Sequence, residues 1–116
     1  MKIQLQKFIG PRCITAEQGR LLFDEVEPRL LAGESVIIDL EGVKTLLSLF
    51  LNHAIGPLLE HFDRHQLSEL LSFANPSDSQ ILTLDRVLEN AESYHRDPAT
   101  KAAVDEVLAK MLEGME

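Results

Sequence analysis

The stretch "SVIIDLEGVKTLLSLFLNHAIGPLLE", Ser35 to Glu60, changes its hydrophobic pattern partway along. Its first part, "SVIIDL", is a short apolar run rich in β-branched residues and bounded by glycines, which predicts a central strand covered on both faces. From Ser48 to about Asp63, apolar residues recur at helical spacing, so we expect a helix that Gly56-Pro57 kinks or restarts. A strand that leads into a helix through a short polar turn is typical of an α/β fold.

Upstream of this stretch, two further elements are predicted. "KIQLQKFI", residues 2–9, alternates apolar and polar positions, which predicts a half-exposed strand. Thr15 and Gln18 have the spacing of a capping box and introduce a helix from about Glu17 to Leu31. Pro28 is expected to loosen or end the last turn of that helix, because proline lacks an amide hydrogen.

Downstream, the pattern predicts one more strand and two more helices. "LSELLSF", residues 67–73, is the strand candidate, and "SDSQ", residues 77–80, has the capping-box form before the next helix. Asp97-Pro98 introduces a last helix with an apolar stripe between Val104 and Leu112. The predicted fold is therefore a single α/β domain over residues 1–116, a sandwich with a small mixed or largely parallel sheet packed against about four helices.

Composition excludes several function classes. The formal net charge is −8 and no basic run offsets it, so the chain is expected to repel a nucleic-acid backbone. The single cysteine, Cys13, cannot form an internal disulfide, which fits a reducing compartment. "MKIQLQKF" lacks the apolar run of a signal peptide, and no segment approaches the ~20 apolar residues that span a bilayer. We expect a cytoplasmic protein with no nucleic-acid or membrane partner.

The sequence assembles no recognisable catalytic or metal site. His61 and His65 are too few ligands for a tight zinc site, and no cysteine cluster completes one. The Cys13 thiol lies just before a helix start, where its pKa could fall, but a lone cysteine is more often inert. No Gly-rich phosphate loop, nucleophile elbow or paired-carboxylate motif is present. We expect no metal, no cofactor and no enzymatic activity.

Two polar residues of the opening stretch remain open to more than one interpretation. Asp39 ends the apolar strand, where open α/β sheets bind ligands, or else its carboxylate accepts amide hydrogen bonds from the "EGVK" turn. Ser48 is an N-cap, a solvated hydroxyl, or a phosphoacceptor and partner contact.

The pattern as a whole resembles a known family. "VIIDLEGV", a short turn and "SLFLNHAIGPL" are similar to the corresponding segments of STAS-like domains, relatives of the bacterial anti-anti-sigma factors. "CITAEQGRLLF" and "LLAGESV" upstream, and "LSFANPS" and "RVLENAESY" downstream, resemble the same family. The resemblance runs from about Phe8 to Tyr94, and its most specific parts are "IDLEGV" and "FLNHAIG".

The resemblance implies a STAS-type fold and a regulatory function through protein–protein interaction. In the anti-anti-sigma relatives, an ATP-binding anti-sigma kinase of the histidine-kinase type phosphorylates a serine or threonine at the start of the second helix. The unphosphorylated form binds that kinase and thereby releases the sigma factor. Carried over to this chain, Ser48 is the candidate phosphoacceptor, with Leu47 and Leu49 where the relatives usually have aspartate and glycine.

The partner-binding surface that follows from the resemblance comprises a small set of residues at the strand end and the helix start. Side chains of the first helical turn that do not face the core are the expected contacts. The candidate partner-binding residues are Asp39, Ser48, Leu49, Phe50 and Asn52.

Two alternative functions stay open. The apolar stripe between Val104 and Leu112 would suit a structural subunit whose C-terminal helix pairs with its copy or with another chain, so a monomer and a homodimer both stay open. A cleft near Asp39 would suit a small-molecule sensor, with Cys13 as a further candidate residue.

Overall fold

The computed structural model describes residues 1–96 and contains two parallel sheets and five α-helices in that range. The elements are β1 Lys2–Gln4, α1 Leu5–Phe8, β2 Arg12–Cys13, α2 Ala16–Leu31, β3 Val36–Asp39, β4 Thr45–Leu46, α3 Ser48–Ala54, a 3-10 helix Gly56–Glu60, α4 Arg64–Leu70, β5 Leu71–Ala74 and α5 Asp78–Arg96. The predicted α/β fold is confirmed. The helix predicted after Asp97-Pro98, with its stripe from Val104 to Leu112, lies outside the described residues.

The main sheet has the strand order β1-β3-β5, and all its pairs are parallel. Ile38 of the central strand pairs with Ile3 on one side and with Phe73 on the other. Ile38 and Val36 are fully buried, whereas Ile37 between them is 39% exposed. Among the described residues, β3 is thus covered on one face rather than on both.

The second sheet is a pair of two-residue strands, β2 and β4, which the sequence pattern did not predict. Arg12 pairs with Thr45 and Cys13 with Leu46, again in parallel. Strand β4 lies between β3 and α3 in the chain. The Leu47 amide donates a 3.0 Å hydrogen bond to the Cys13 carbonyl, so the β2–β4 pair also holds the residue before α3.

Helix α2 begins and ends on local sequence signals. The Gln18 amide donates to the Thr15 hydroxyl at 3.1 Å and the Thr15 amide to the Gln18 side chain at 3.0 Å, so the predicted capping box is confirmed. Gly33, with φ of +83°, ends the helix in a left-handed conformation. Its amide bonds to the Leu30 carbonyl at 3.0 Å, and the following Glu34 amide bonds to that of Arg29 at 2.9 Å. Pro28 therefore does not end the helix, which continues to Leu31.

The Gly56-Pro57 pair interrupts the second predicted helix, as expected. Helix α3 ends at Ala54, and the chain restarts as a 3-10 helix with Pro57 in its first turn. Proline is tolerated there because first-turn amides have no intrahelical acceptor.

Two of the strand predictions were too long. Strand β1 stops at Gln4, because its neighbour β3 ends at the paired Asp39 and offers no further partner. The next residues close a helical turn instead, with the Ile9 amide on the Leu5 carbonyl at 2.8 Å. In "LSELLSF", Leu67 belongs to α4, whose start is a capping box between Asp63 and Gln66 that the sequence analysis missed. Only the segment Leu71–Ala74 pairs with β3.

Helix α2 packs against α3 at a close backbone approach. A Cβ atom built on Gly19 would overlap the Phe50 carbonyl oxygen and lie 3.0 Å from the His53 Cβ atom. The glycine thus lets two helix backbones meet over the buried Phe50 and Leu51. This contact orients the start of α3 relative to the rest of the fold.

Candidate functional site

Ser48 lies at the first position of α3 and does not cap it. Leu47 occupies the N-cap position, with extended backbone, and provides no side-chain hydrogen bond. The N-cap interpretation of Ser48 is therefore wrong. Its side chain is exposed, and its hydroxyl forms no hydrogen bond within the part of the chain that the structure describes.

The residues around Ser48 divide between the core and the surface. Phe50 is fully buried, so it packs in the core and cannot contribute to a docking surface as the resemblance suggested. Leu47 and Leu49, by contrast, are 43% and 50% exposed, and Asn52 is exposed as well. We call the four exposed residues Leu47, Ser48, Leu49 and Asn52 the α3 surface.

Asp39 is buried at the carboxyl end of the central strand. Its Oδ1 accepts hydrogen bonds from the Asn75 side chain at 3.0 Å and from the Glu41 amide at 3.0 Å. The Lys2 ammonium lies 3.4 Å from Oδ2. The pKa of Asp39 is lowered, chiefly by the Asn75 hydrogen bond and then by the hydrogen bond from the Glu41 amide and the nearby Lys2 charge. Burial of the carboxylate opposes this shift.

This arrangement confirms the turn-stabilising interpretation of Asp39. The carboxylate connects β3, the turn after it, the end of β5 and the first strand, and so holds the sheet end in place. Asp39 is only 3% exposed, whereas the side chains of the α3 surface are exposed.

A cavity of about 490 Å³ opens beside this junction, between the β3–β4 turn and the first turn of α5. Gln80, which lines it, is buried: its side-chain nitrogen donates to the Val43 carbonyl at 3.1 Å, and its side-chain oxygen accepts from the Ser77 backbone amide at 2.8 Å. The backbone amide of Gln80 donates to the Ser77 hydroxyl at 3.2 Å, which completes the predicted capping box of α5. Gln80 thus ties α5 to the β3–β4 turn.

Two basic residues next to the α3 surface were missed by the sequence analysis. Arg12 lies on β2 opposite Thr45, and the Lys44 amide donates to the Pro11 carbonyl at 2.7 Å. Both side chains are exposed, and neither forms an ion pair within the described residues. The sequence offered no signal for this, because the two residues come together only through the short β2–β4 pair.

The remaining candidate residues do not form a reactive group. Cys13 is buried, its thiol lies 3.7 Å from the Gly10 carbonyl oxygen, and burial raises its pKa to about 11. The neutral thiol is a poor nucleophile, so the inert interpretation is supported. His61 follows the 3-10 helix and His65 lies on α4, so the two do not share one helix. Within residues 1–96, no three histidine, cysteine or acidic side chains lie close enough to hold a metal ion.

Helix length and hydropathy are also informative about membranes. None of the helices between residues 1 and 96 has the combined length and apolar character of a membrane span.

The chain is similar to a known protein family. Neither a curated protein nor a solved structure matches the chain. Residues 18–80 match the family described as "STAS-like domain of unknown function (DUF4325)". The matched segment runs from the first turn of α2 to the first turn of α5 and includes both Asp39 and Ser48. It spans more than half of the 116 residues, so this chain belongs to the STAS-like domain family.

Proposed function

We propose that this chain is a non-catalytic regulatory module that binds a protein partner through the α3 surface. The observation that carries the proposal is the exposure of Leu47 and Leu49, at 43% and 50%, on either side of the exposed Ser48. When a partner covers leucine side chains that are exposed to water, the free energy of the complex falls by roughly 25 cal/mol for each Å² of apolar area buried.

The position of Ser48 supports a role as a switch. Because its hydroxyl neither caps α3 nor bonds elsewhere among the described residues, a modification there leaves the fold intact. A phosphate would add about −1.5 to −2 charges between the two exposed leucines and oppose the burial of their apolar surface. Phosphorylation of Ser48 by an ATP-binding, histidine-kinase-type partner would therefore release that partner.

The test is a comparison of three variants in affinity capture from lysate of the native host. Ser48→Glu and Leu49→Arg should each weaken capture of the partner by about tenfold or more, as expected for a contact at the centre of an interface. Leu82→Arg is the matched control, because Leu82 is a still more exposed leucine, at 67%, on α5.

The variants must be folded for the comparison to be valid. All three changes are at exposed positions, so the free energy of unfolding should change by no more than about 0.5 kcal/mol. If Leu49→Arg captures the partner as well as the Leu82→Arg control does, the α3 surface is not the binding site and the proposal is wrong.

Phosphorylation needs a separate measurement. Intact-mass spectrometry of the chain isolated from its host should detect a phosphorylated form that is lost in Ser48→Ala. A phosphorylated form that persists in Ser48→Ala would place the modification elsewhere and contradict the switch.

A further inference from the structure

Two cationic residues, Arg12 and Lys44, lie on or next to the β2–β4 pair that leads into the α3 surface. The β2–β4 pair places Arg12 opposite Thr45, two residues before Leu47. The Leu47 amide bonds to the carbonyl of Cys13, the residue that follows Arg12. Lys44 precedes Thr45, and its own amide bonds to the carbonyl of Pro11. Backbone hydrogen bonds therefore bring Arg12 close to Lys44 and to the start of α3, although Arg12 is more than 30 residues away in the sequence.

These two charges are uncompensated within the described residues. Some cations of the chain have carboxylate partners, for example Arg20 with Asp24 and Arg64 with Asp85, whereas Lys7 and Arg86 have none within residues 1–96. Arg12 and Lys44 have none, even though Glu41 lies on the turn three residues before Lys44. Arg12 and Lys44 are thus available to a partner that covers the α3 surface, in a chain whose net charge is −8.

We propose that the partner of the α3 surface is a protein with an acidic docking face, which covers Leu47 and Leu49 and directs Asp or Glu side chains toward Arg12 and Lys44. The proposal rests on the proposed function and adds the chemistry of the partner. Opposite charges at the rim of an interface steer association and determine the orientation of the two proteins.

The overall charge of the chain makes this surface selective. An acidic partner is repelled by a molecule of net charge −8 at most approaches, and two unpaired cations such as Arg12 and Lys44 reduce that repulsion locally. The same arrangement explains how a phosphate on Ser48 would act, because it would cancel these positive charges as well as disturb the apolar contact.

The experiment measures the affinity of the captured partner for charge-reversal variants of the full chain. Arg12→Glu with Lys44→Glu should weaken binding by about tenfold at low salt, with a smaller effect at high salt, because rim charges act through screened electrostatics. The matched control is Lys7→Glu with Arg86→Glu, which makes the same change in net charge at two exposed cations outside the surface that also lack ion pairs among the described residues. This control should bind with nearly the affinity of the unmodified chain.

A carbodiimide cross-linking measurement identifies the contacting groups directly. The reagent joins a lysine amine to a carboxylate only when the two touch, and the linked peptides are sequenced by mass spectrometry. We expect a link from Lys44 to an Asp or Glu of the partner. A link from Lys44 to another copy of this chain would overturn the proposal in favour of self-association.

The variants also separate the two proposals. If Leu49→Arg abolishes binding while the Arg12→Glu, Lys44→Glu variant binds as well as its control, the α3 surface stands and the acidic partner is refuted. If Leu49→Arg binds normally, the proposed function fails and the inference fails with it.

Discussion

Replacement of Gly19 by alanine tests the close contact that positions α3. The new Cβ atom would overlap the Phe50 carbonyl oxygen and lie 3.0 Å from the His53 Cβ atom and 3.2 Å from the Ala54 nitrogen. Relief requires the two helices to move apart, and such overpacking costs about 1–3 kcal/mol. Alanine recovers about 0.5–1 kcal/mol through its better helix propensity. The expected net loss in the free energy of unfolding is therefore about 0–2.5 kcal/mol, centred on ~1 kcal/mol.

Urea denaturation followed by circular dichroism measures this change, and a thermal scan should show a decrease of about 4–8 °C in Tm for each kcal/mol. Gly56→Ala is the matched control, because Gly56 is also buried but its new Cβ atom would meet, within residues 1–96, only the Ala91 Cβ atom, at an ordinary 3.8 Å. The overlap with Phe50 is with a backbone atom, so adding His53→Ala should not rescue the variant. If Gly19→Ala is as stable as Gly56→Ala, the described packing of α2 on α3 is wrong.

Three further predictions follow from the buried polar groups. Buried Cys13 should not react with a thiol reagent in the native state and should react once urea unfolds the chain. Because burial raises the pKa of its thiol from 9.0 to about 11, only the unfolded state loses the thiol proton between these pH values. The free energy of unfolding should therefore fall as the pH rises from about 9 to about 11. Removal of the largest cause of the lowered Asp39 pKa, by Asn75→Ala, should raise that pKa in an NMR titration, so that acid unfolding begins at a higher pH; an unchanged titration would contradict the hydrogen bond. Gln80→Met keeps the side-chain volume but leaves the buried Val43 carbonyl without its donor, and should lower the free energy of unfolding by about 1–3 kcal/mol in urea denaturation, whereas Leu82→Met on the same helix should not.

Local signals in the sequence predicted much of the fold. The capping boxes at Thr15 and Ser77 and the interruption at Gly56-Pro57 were all read from neighbouring residues. Each depends on interactions over a few positions, so the sequence pattern contains the whole signal. Strand ends were less predictable, because the length of a strand depends on its partner: β1 stops where β3 has no further residue to pair with.

The candidate site was only partly predictable for the same physical reason. Ser48 could be assigned to the start of a helix, but its neighbour Leu47 took the N-cap position. The helical spacing of the apolar residues includes Phe50 and agrees with its burial, whereas the resemblance made Phe50 a contact candidate together with the exposed Leu49. The orientation of the first turn of α3 is set by its packing against α2 at Gly19, a contact between distant parts of the chain.

The α/β class, the order of the principal elements and the family resemblance can be read from the sequence, because hydrophobic periodicity and capping act over short distances. The exposure of each side chain at the start of α3 follows instead from tertiary packing. Tertiary packing alone placed Asn75 on Asp39, 36 residues away, and brought Arg12 beside Lys44 through the β2–β4 pair. Contacts of this kind depend on how the finished sheets and helices pack, and their energies have no counterpart in any local pattern of residues.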